Sequence, residues 1–329
     1  MPPGVVVVTG ATSGVGRAVV RDFAERGAPL ALVARSDEAL ESTLFDVERL
    51  GGKGLAVPTD VADPVQVEEA ARRIEADLGE IGVWVNNAMT TVFSPFMEYA
   101  SDEYQRVTEV TYLATVWGTQ AALRRMIPRN RGAIIQVGSA LAYRGIPYQS
   151  AYCGAKHAIK GFTESIRTEL LHTGSKIHVG MVQLPAVNTP QFSHCRSRFD
   201  SHPMPVPPIY QPEVAARGVR LAIEKRRREV YVGFPTVKTI VGNKVAPGFI
   251  DRYLARQGPA SQLIDLPPSS HNREGNLFDT VPGDPGAHGI FDAKSRSFSP
   301  VLWMSENRVP LTLGAVGVGM ASMLLSRRA

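Results

Sequence analysis

Two common kinds of site need more cysteine and histidine than this sequence contains. Its two cysteines, Cys153 and Cys195, cannot form a disulfide framework, and its seven scattered histidines never fall at the spacing of metal ligands. We therefore expect a reducing compartment and no bound metal. The opening residues, MPPGVVVVTG, also lack the basic region and the small-residue cleavage site of a secretory signal. We expect a cytoplasmic protein.

A strong charge of one sign is missing as well. The formal net charge of the 329 residues is only +5, and no long basic run is interleaved with aromatic residues. The densest basic cluster, residues 225–228, is typical of a helix end, where cations are favoured. Nucleic acid is therefore not an expected partner. With 44% hydrophobic and 20% charged residues, the chain has the composition of an ordinary globular protein.

Short apolar, β-branched runs recur along the chain, with amphipathic helical stretches between them. The runs are Val5–Thr9, Leu30–Ala34, Gly54–Val57, Val83–Val85, Ala133–Val137, His178–Val182 and Val230–Val232. Continuous apolar strands are typical of a parallel sheet that is covered on both faces. The alternation predicts an α/β fold with a doubly wound, Rossmann-type parallel sheet in a single domain, which we place at residues 1–235.

Three segments of different composition follow this domain. Residues 236–257 are expected to form one amphipathic helix, although Pro247 interrupts it. Residues 258–308 are rich in proline, glycine and serine without periodicity, and we expect an extension that lies on the surface or is partly disordered. Residues 309–329 form a hydrophobic tail.

The hydrophobic tail is a borderline membrane anchor. Residues 309–326 carry no charge, and at about 1.5 Å per residue such a helix spans roughly 27 Å, slightly less than a typical hydrocarbon core. Arginines flank the run on both sides, and small residues recur within it at a spacing of four. We expect the tail to attach the protein to a membrane, with the catalytic domain on the cytoplasmic side. The alternative is a helix that packs on protein.

A glycine-rich turn, TGATSGVG, follows the first apolar run and precedes a helical stretch. Glycine lets the backbone turn tightly and approach a pyrophosphate, which the helix N-terminus attracts. This order of strand, turn and helix is the one that dinucleotide binding requires, and the turn lacks the Gly-Lys-Ser/Thr ending of a triphosphate loop. The predicted cofactor-binding residues here are Gly10, Thr12, Ser13, Gly14, Val15 and Gly16.

Arg35 ends the second run, where an acidic residue would bind the adenosine ribose 2′-hydroxyl of NAD. An arginine at this position suits a 2′-phosphate through charge-assisted hydrogen bonds. We expect NADP as the cofactor. NAD is the alternative, because the nearby Asp37 could bind the hydroxyl if the turn differs.

Tyr152 and Lys156 lie four positions apart in the stretch SAYCGAKHA, which is typical of a helix start. Residues at this spacing share one face of a helix. An ammonium beside a phenol favours the phenolate, so we expect a pKa of Tyr152 below its ordinary value of about 10. Such a tyrosine transfers protons near neutral pH.

Several motifs in the right order give the chain a resemblance to the short-chain dehydrogenase/reductase family over roughly residues 4–235. TGATSGVG resembles the family's cofactor loop, TDVAD its adenine-binding segment, NNA the segment after the fourth strand, and LPAVNTP the loop after the sixth. VGSALA, which precedes YCGAK, resembles the rest of the active-site pattern. The resemblance implies that the cofactor site also includes Asp60, Val61, Asn87, Ala88, Tyr152, Lys156 and Thr189.

The resemblance implies catalytic roles for Ser139, Tyr152 and Lys156. Tyr152 would be the general acid or base, Ser139 would hold the reacting oxygen, and Lys156 would lower the tyrosine pKa and bind the nicotinamide ribose. Thr111 stands where the family commonly has an asparagine, and its hydroxyl would serve the proton relay only in part. Met89 and Ala186 replace usual glycines, which indicates a local change of loop shape.

The function implied is NADP-dependent interconversion of a small-molecule carbonyl compound and its alcohol, in a homo-oligomer. Residues 191–212 mix apolar side chains with prolines where the family has a mobile loop, and this favours an apolar substrate unless those side chains pack on the core or a second subunit. A sugar-nucleotide epimerase or dehydratase is disfavoured by the glycine spacing. A cofactor-binding sensor or scaffold without turnover is a further alternative, although all three catalytic residues are present.

Overall fold

The computed structural model of the protein describes residues 3–266 and 275–308. The hydrophobic tail at residues 309–329 lies outside this part of the chain. Within the two described ranges, none of the helices combines the length and the apolar character that crossing a membrane requires.

The centre of the molecule is a parallel sheet of seven strands. We number them β1 to β7, and their order across the sheet is β7-β6-β5-β4-β1-β2-β3. Each predicted apolar run overlaps one of them, although the last strand ends at Tyr231 and leaves out Val232, so the predicted doubly wound sheet is confirmed. Their bounds are Val5–Thr9, Leu30–Ala34, Gly54–Pro58, Ile81–Asn86, Ala133–Ser139, His178–Leu184 and Glu229–Tyr231.

Helices cover both faces of this sheet, which explains why its strands are apolar on both sides. α1 and α8 pack on one face, whereas α3 and α5 pack on the other. The helices α1 to α11 are Gly14–Ala24, Asp37–Arg49, Pro64–Asp77, Ser101–Thr108, Ala114–Arg129, Ser150–His172, Gln191–His194, Pro212–Glu224, Phe234–Val245, Pro247–Ser261 and Pro300–Glu306. A π-helical turn, Glu109–Leu113, joins α4 to α5.

The expectation of a single helix at residues 236–257 is wrong, because the structure has two helices there. α9 ends at Val245 and α10 begins at Pro247. Proline has no N–H for the preceding helical turn and disfavours helical backbone at the residue before it. Ala246 accordingly has non-helical backbone angles, φ −140° and ψ 60°.

The described residues of the C-terminal extension have little regular structure before α11, and they pack closely on the domain. Residues 295–296 pair in parallel with residues 209–210, and α11 buries Leu302 completely in the core. The Ser299 hydroxyl accepts a hydrogen bond from the N–H of Leu302 and so begins α11. The described part of the extension therefore belongs to the folded domain.

Candidate active site and cofactor cleft

A cavity of about 990 Å³ opens at the carboxyl ends of the central strands. Parallel α/β sheets bind ligands at this edge, where the loops after the strands meet. The cavity brings together most of the predicted site residues, and only Gly16 and Thr111 lie behind its wall. Its lining includes Gly10, Thr12, Ser13, Gly14, Val15, Arg35, Asp60, Val61, Asn87, Ala88, Ser139, Tyr152, Lys156 and Thr189.

The turn between β1 and α1 needs glycine for both conformation and space. Gly10 and Gly14 have φ +64° and +54°, in the left-handed region that other residues rarely adopt. A Cβ on Gly16 would overlap the carbonyl oxygen of Gly10. The backbone therefore lies flat under the cavity at the N-terminus of α1, and a pyrophosphate fits this surface.

The NNA segment braces the same turn from below. Asn87 Nδ2 donates to the carbonyl oxygens of Thr9 (2.9 Å) and Gly10 (3.2 Å). The Thr9 hydroxyl accepts from the N–H groups of Asn87 (3.0 Å) and Ala88 (3.1 Å). These bonds tie the ends of β1 and β4 together, so they fix the floor of the cleft before any ligand binds.

Asp60 and Arg35 lie at the end of the cavity where the adenosine of a dinucleotide would bind. Asp60 forms an ion pair of 2.5 Å with Arg106 and accepts from the N–H of Ala62. The Arg35 guanidinium donates to carbonyl oxygens of the C-terminal extension, at Asn276 and Phe278. Burial, and next the charge of Arg106, lower the pKa of Arg35 from its ordinary value.

Ser139 and Tyr152 meet at the opposite end of the cavity. Ser139 is the last residue of β5, Tyr152 lies in the first turn of α6, and both line the cavity. The expected lowering of the tyrosine pKa is wrong for this structure, in which burial raises the pKa of Tyr152 and the nearby Ser139 hydroxyl only partly opposes that effect. The physical reason is that desolvation penalises a phenolate more than its surroundings stabilise it.

Lys156 lies one helical turn after Tyr152, as predicted, but its ammonium is bonded elsewhere. Its Nζ donates to the carbonyl oxygen of Val137 (2.7 Å) and lies 5.5 Å from the centre of the Tyr152 ring. Burial lowers the pKa of Lys156 to about 8. The ammonium is therefore held under the phenol ring, and its removal from water makes its charged form less stable.

Thr111 lies in the π-helical turn and is completely buried. Its hydroxyl donates to the carbonyl oxygen of Thr90 (3.0 Å) and accepts from the N–H of Thr90 (3.2 Å). The Thr111 hydroxyl thus acts as both donor and acceptor toward the backbone of the segment after NNA. Met89 and Ala186, the two positions where glycine is usual, both line the cavity.

Thr189 and Cys153 both lie in well-packed positions. Thr189 packs against the glycine turn, where a Cβ on Gly14 would lie 2.9 Å from Thr189 Cβ. Cys153 is buried, and burial raises its pKa to about 11, as is typical of a cysteine that packs in a core.

Parts of the cavity wall come from beyond residue 235 and were not predicted from the sequence. α9 contributes Lys238 and Thr239, α10 contributes Phe249 and Tyr253, and the extension contributes Leu277. The apolar periodicity of α9 and α10 indicates that one face of each helix is buried, but it does not identify the surface that covers this face. The extension has no periodic signal, and its position depends on contacts that are distant along the chain.

Known proteins resemble this chain in sequence. A family model described as short chain dehydrogenase matches residues 4–198. The uncharacterized oxidoreductase YxnA of Bacillus subtilis is 30% identical over 328 residues, which is 98% of this chain and 90% of that protein. Human 17-beta-hydroxysteroid dehydrogenase 13 is 31% identical over 170 residues, and the match covers 52% of this chain and 57% of that protein.

Solved structures resemble it in fold. An alcohol dehydrogenase from the archaeon Thermococcus sibiricus, complexed with 5-hydroxy-NADP, matches with a TM-score of 0.60 and 26% identity over 69% of this chain and 94% of that one. A short-chain dehydrogenase from Streptomyces avermitilis matches with a TM-score of 0.64 and 25% identity over 78% of this chain and 97% of that one. The chain belongs to the short-chain dehydrogenase/reductase family of NAD(P)-binding oxidoreductases.

Proposed function

We propose that the protein is an NADP-dependent carbonyl reductase or alcohol dehydrogenase for apolar substrates. The observation that carries this proposal is that Ser139 and Tyr152 line the same cavity as the glycine turn, with the buried ammonium of Lys156 beside the Tyr152 ring. A bound nicotinamide cofactor supplies the hydride for carbonyl reduction, or accepts it in alcohol oxidation.

The side chains handle the proton and the oxygen. Tyr152 donates its proton to the carbonyl oxygen of the substrate as the carbon becomes that of an alcohol, and takes a proton back in the reverse reaction. Ser139 donates a hydrogen bond to the same oxygen and stabilises the charge that develops there. Because burial raises the pKa of Tyr152, the phenol keeps its proton at neutral pH, which is the form that reduction needs.

The proposed preference for NADP rests on Arg35. Two of the five N–H groups of its guanidinium, Nε–H and one on Nη1, are not used by the bonds to the extension, and a 2′-phosphate could accept from them. Arg106 lies close by, although its charge is paired with that of Asp60. The complex of the Thermococcus sibiricus enzyme with an NADP derivative agrees with this preference.

The proposed apolar substrate rests on the part of the cavity beyond Tyr152. Side chains from the loop after β6 and from α10 line it, including Phe192, Met204, Phe249, Tyr253 and Leu254. Phe249 and Tyr253 are largely exposed, so an apolar surface continues from the cavity to the outside. A carbonyl compound with a bulky hydrocarbon part would bury this surface, and a small polar one would not.

Membrane attachment through residues 309–329, with the catalytic domain on the cytoplasmic side, and assembly into a homo-oligomer belong to the same proposal. The uncharged run of the tail and the exposed apolar side chains at the cavity mouth support attachment. Fractionation of the full chain and of a chain that ends at Asn307 tests it. Equal recovery of both without detergent would exclude an anchor, and light scattering of the shorter chain gives the oligomeric state.

Turnover of a substrate panel tests the catalytic proposal. We expect the wild-type chain to consume NADPH with aromatic and long-chain ketones and aldehydes faster than with acetone or acetaldehyde, and Ser139→Ala to reduce the rate strongly. Tight binding of NADPH without turnover of any carbonyl or alcohol would favour a cofactor-binding sensor instead. A faster rate with small polar carbonyls would contradict the proposed substrate class.

A further inference from the structure

Residues 275–292 of the C-terminal extension, here called the strap, cross the cofactor cleft from one side to the other. We propose that the strap is a wall of the dinucleotide site, closes over the adenosine half of the cofactor, and must open before the cofactor can leave. The proposal rests on the cleft's proposed use as an NADP site. It assigns cofactor contacts to a segment outside the part of the chain that the family model matches.

The first anchor of the strap is Arg35. Three carbonyl oxygens converge on its guanidinium, those of Asn276 (2.7 Å), Phe278 (2.6 Å) and Asp279 (3.3 Å). Arg106 also donates from Nε to the carbonyl oxygen of Leu277 (3.2 Å). A guanidinium is always charged, so these bonds are stronger than those between neutral groups. The strap is thereby fixed at the end of β2, next to the expected 2′-phosphate.

The second anchor is the start of α1. Asp284 accepts from both terminal nitrogens of Arg17 (3.1 and 3.3 Å), a side chain that is only 1% exposed. The N–H of Gly14, in the glycine turn itself, donates to the carbonyl oxygen of Gly286 (3.0 Å). The strap therefore touches the backbone on which a pyrophosphate would lie.

The third anchor is Asn188, which precedes Thr189 in the loop after β6. Its Oδ1 accepts from the N–H of Phe291 (3.0 Å), and its Nδ2 donates to Asp292 (2.8 Å). Asn188 is completely buried, and so its position is fixed. Together the three anchors hold the strap at the ends of β2 and β6 and at the start of α1, which surround the cofactor cleft.

The inner face of the strap is uncharged and lines the cavity. Leu277, Thr280, Val281 and Pro285 face the same space as Gly10, Thr12 and Ser13 of the glycine turn. Leu277 is 1% exposed and belongs to the small apolar cluster that Tyr152 also touches. A dinucleotide between the glycine turn and the strap would be covered on both sides, and its release would break strap contacts.

Cofactor dissociation from the full-length protein tests this inference. The change we choose is Asp284→Ala, alone and with Asp292→Ala, because both acids hold the strap from outside the cavity. Asp77→Ala is the control, since Asp77 forms a comparably exposed ion pair on α3. Stopped-flow fluorescence follows the release of NADPH into excess NADP⁺, and hydrogen exchange of residues 275–292 is measured with and without NADPH.

We expect faster release of NADPH, about threefold for Asp284→Ala and about tenfold for the double variant, because each lost contact is a partly exposed charged one. The control should match the wild type, and NADPH should slow hydrogen exchange in the strap. Unchanged release in the double variant together with unchanged exchange would overturn the inference. So would faster association with unchanged release, because the strap would then obstruct the cleft. No binding of NADPH or NADH to the wild type would overturn the proposed function as well.

Discussion

Lys156 Nζ donates a hydrogen bond of 2.7 Å to the carbonyl oxygen of Val137, on the strand that ends at Ser139. The bond holds the ammonium of α6 under the floor of the active site, where it is almost fully removed from water. It also fixes the distance between α6 and β5, and therefore between Tyr152 and Ser139. One buried cation thus both positions the proton donor and sets the local charge.

The first prediction is a loss of activity at alkaline pH. Burial lowers the pKa of Lys156 to about 8, so its ammonium is present below that pH and is lost as the pH rises through it. We expect kcat/KM of the free enzyme to fall above pH 8, because neutral Lys156 no longer provides a positive charge next to Tyr152. In Lys156→Arg the residual rate should lack this fall, since a guanidinium stays charged. A profile that is flat to pH 10 in the wild type would contradict it.

The second prediction concerns the proton donor. Tyr152→Phe removes only the hydroxyl group, so turnover should fall at least about 100-fold while NADPH binds as in the wild type. The measurement is kcat together with the Kd for NADPH from fluorescence titration. Ser139→Ala should lower kcat by about 100-fold or more through the lost bond to the reacting oxygen. More than a tenth of the activity in Tyr152→Phe would show that another group supplies the proton.

The third prediction separates the two roles of Arg35. In Arg35→Gln a looser strap weakens NADPH and NADH equally, whereas loss of the charge opposite the 2′-phosphate weakens NADPH alone. We expect the ratio of kcat/KM for NADPH to that for NADH to fall about tenfold or more, given the usual strength of hydrogen bonds to charged groups. An unchanged ratio with both cofactors weakened would make Arg35 an anchor of the strap alone.

The fourth prediction tests whether Thr111 is structural. Thr111→Val keeps the shape but leaves the buried N–H of Thr90 without its acceptor, which should cost about 1–3 kcal/mol of unfolding free energy. Denaturant unfolding measures this loss, and kcat should change little. Thr115→Val is the matched control, because the Thr115 hydroxyl bonds only to a carbonyl oxygen one turn earlier. A normal unfolding free energy with a collapsed kcat would instead place Thr111 in the proton relay.

The sheet, the glycine turn and the position of Lys156 one helical turn after Tyr152 were all predictable from the sequence alone. Each depends on neighbours along the chain, through apolar runs, a backbone conformation that only glycine adopts easily, or the spacing of one helical turn. The interruption at Pro247 was also predictable, because proline disturbs a helix locally. In the structure it separates α9 from α10 completely.

The surroundings of those residues depend on the tertiary fold and were not predictable from the sequence. The pKa of Tyr152 depends on burial, and the ammonium of Lys156 bonds to a carbonyl oxygen 19 residues away along the chain. Arg35 receives its carbonyl partners from residues 241 to 244 positions later in a segment without periodicity. Local sequence pattern cannot encode such contacts, because they exist only once the folded sheet has brought distant segments together at one edge.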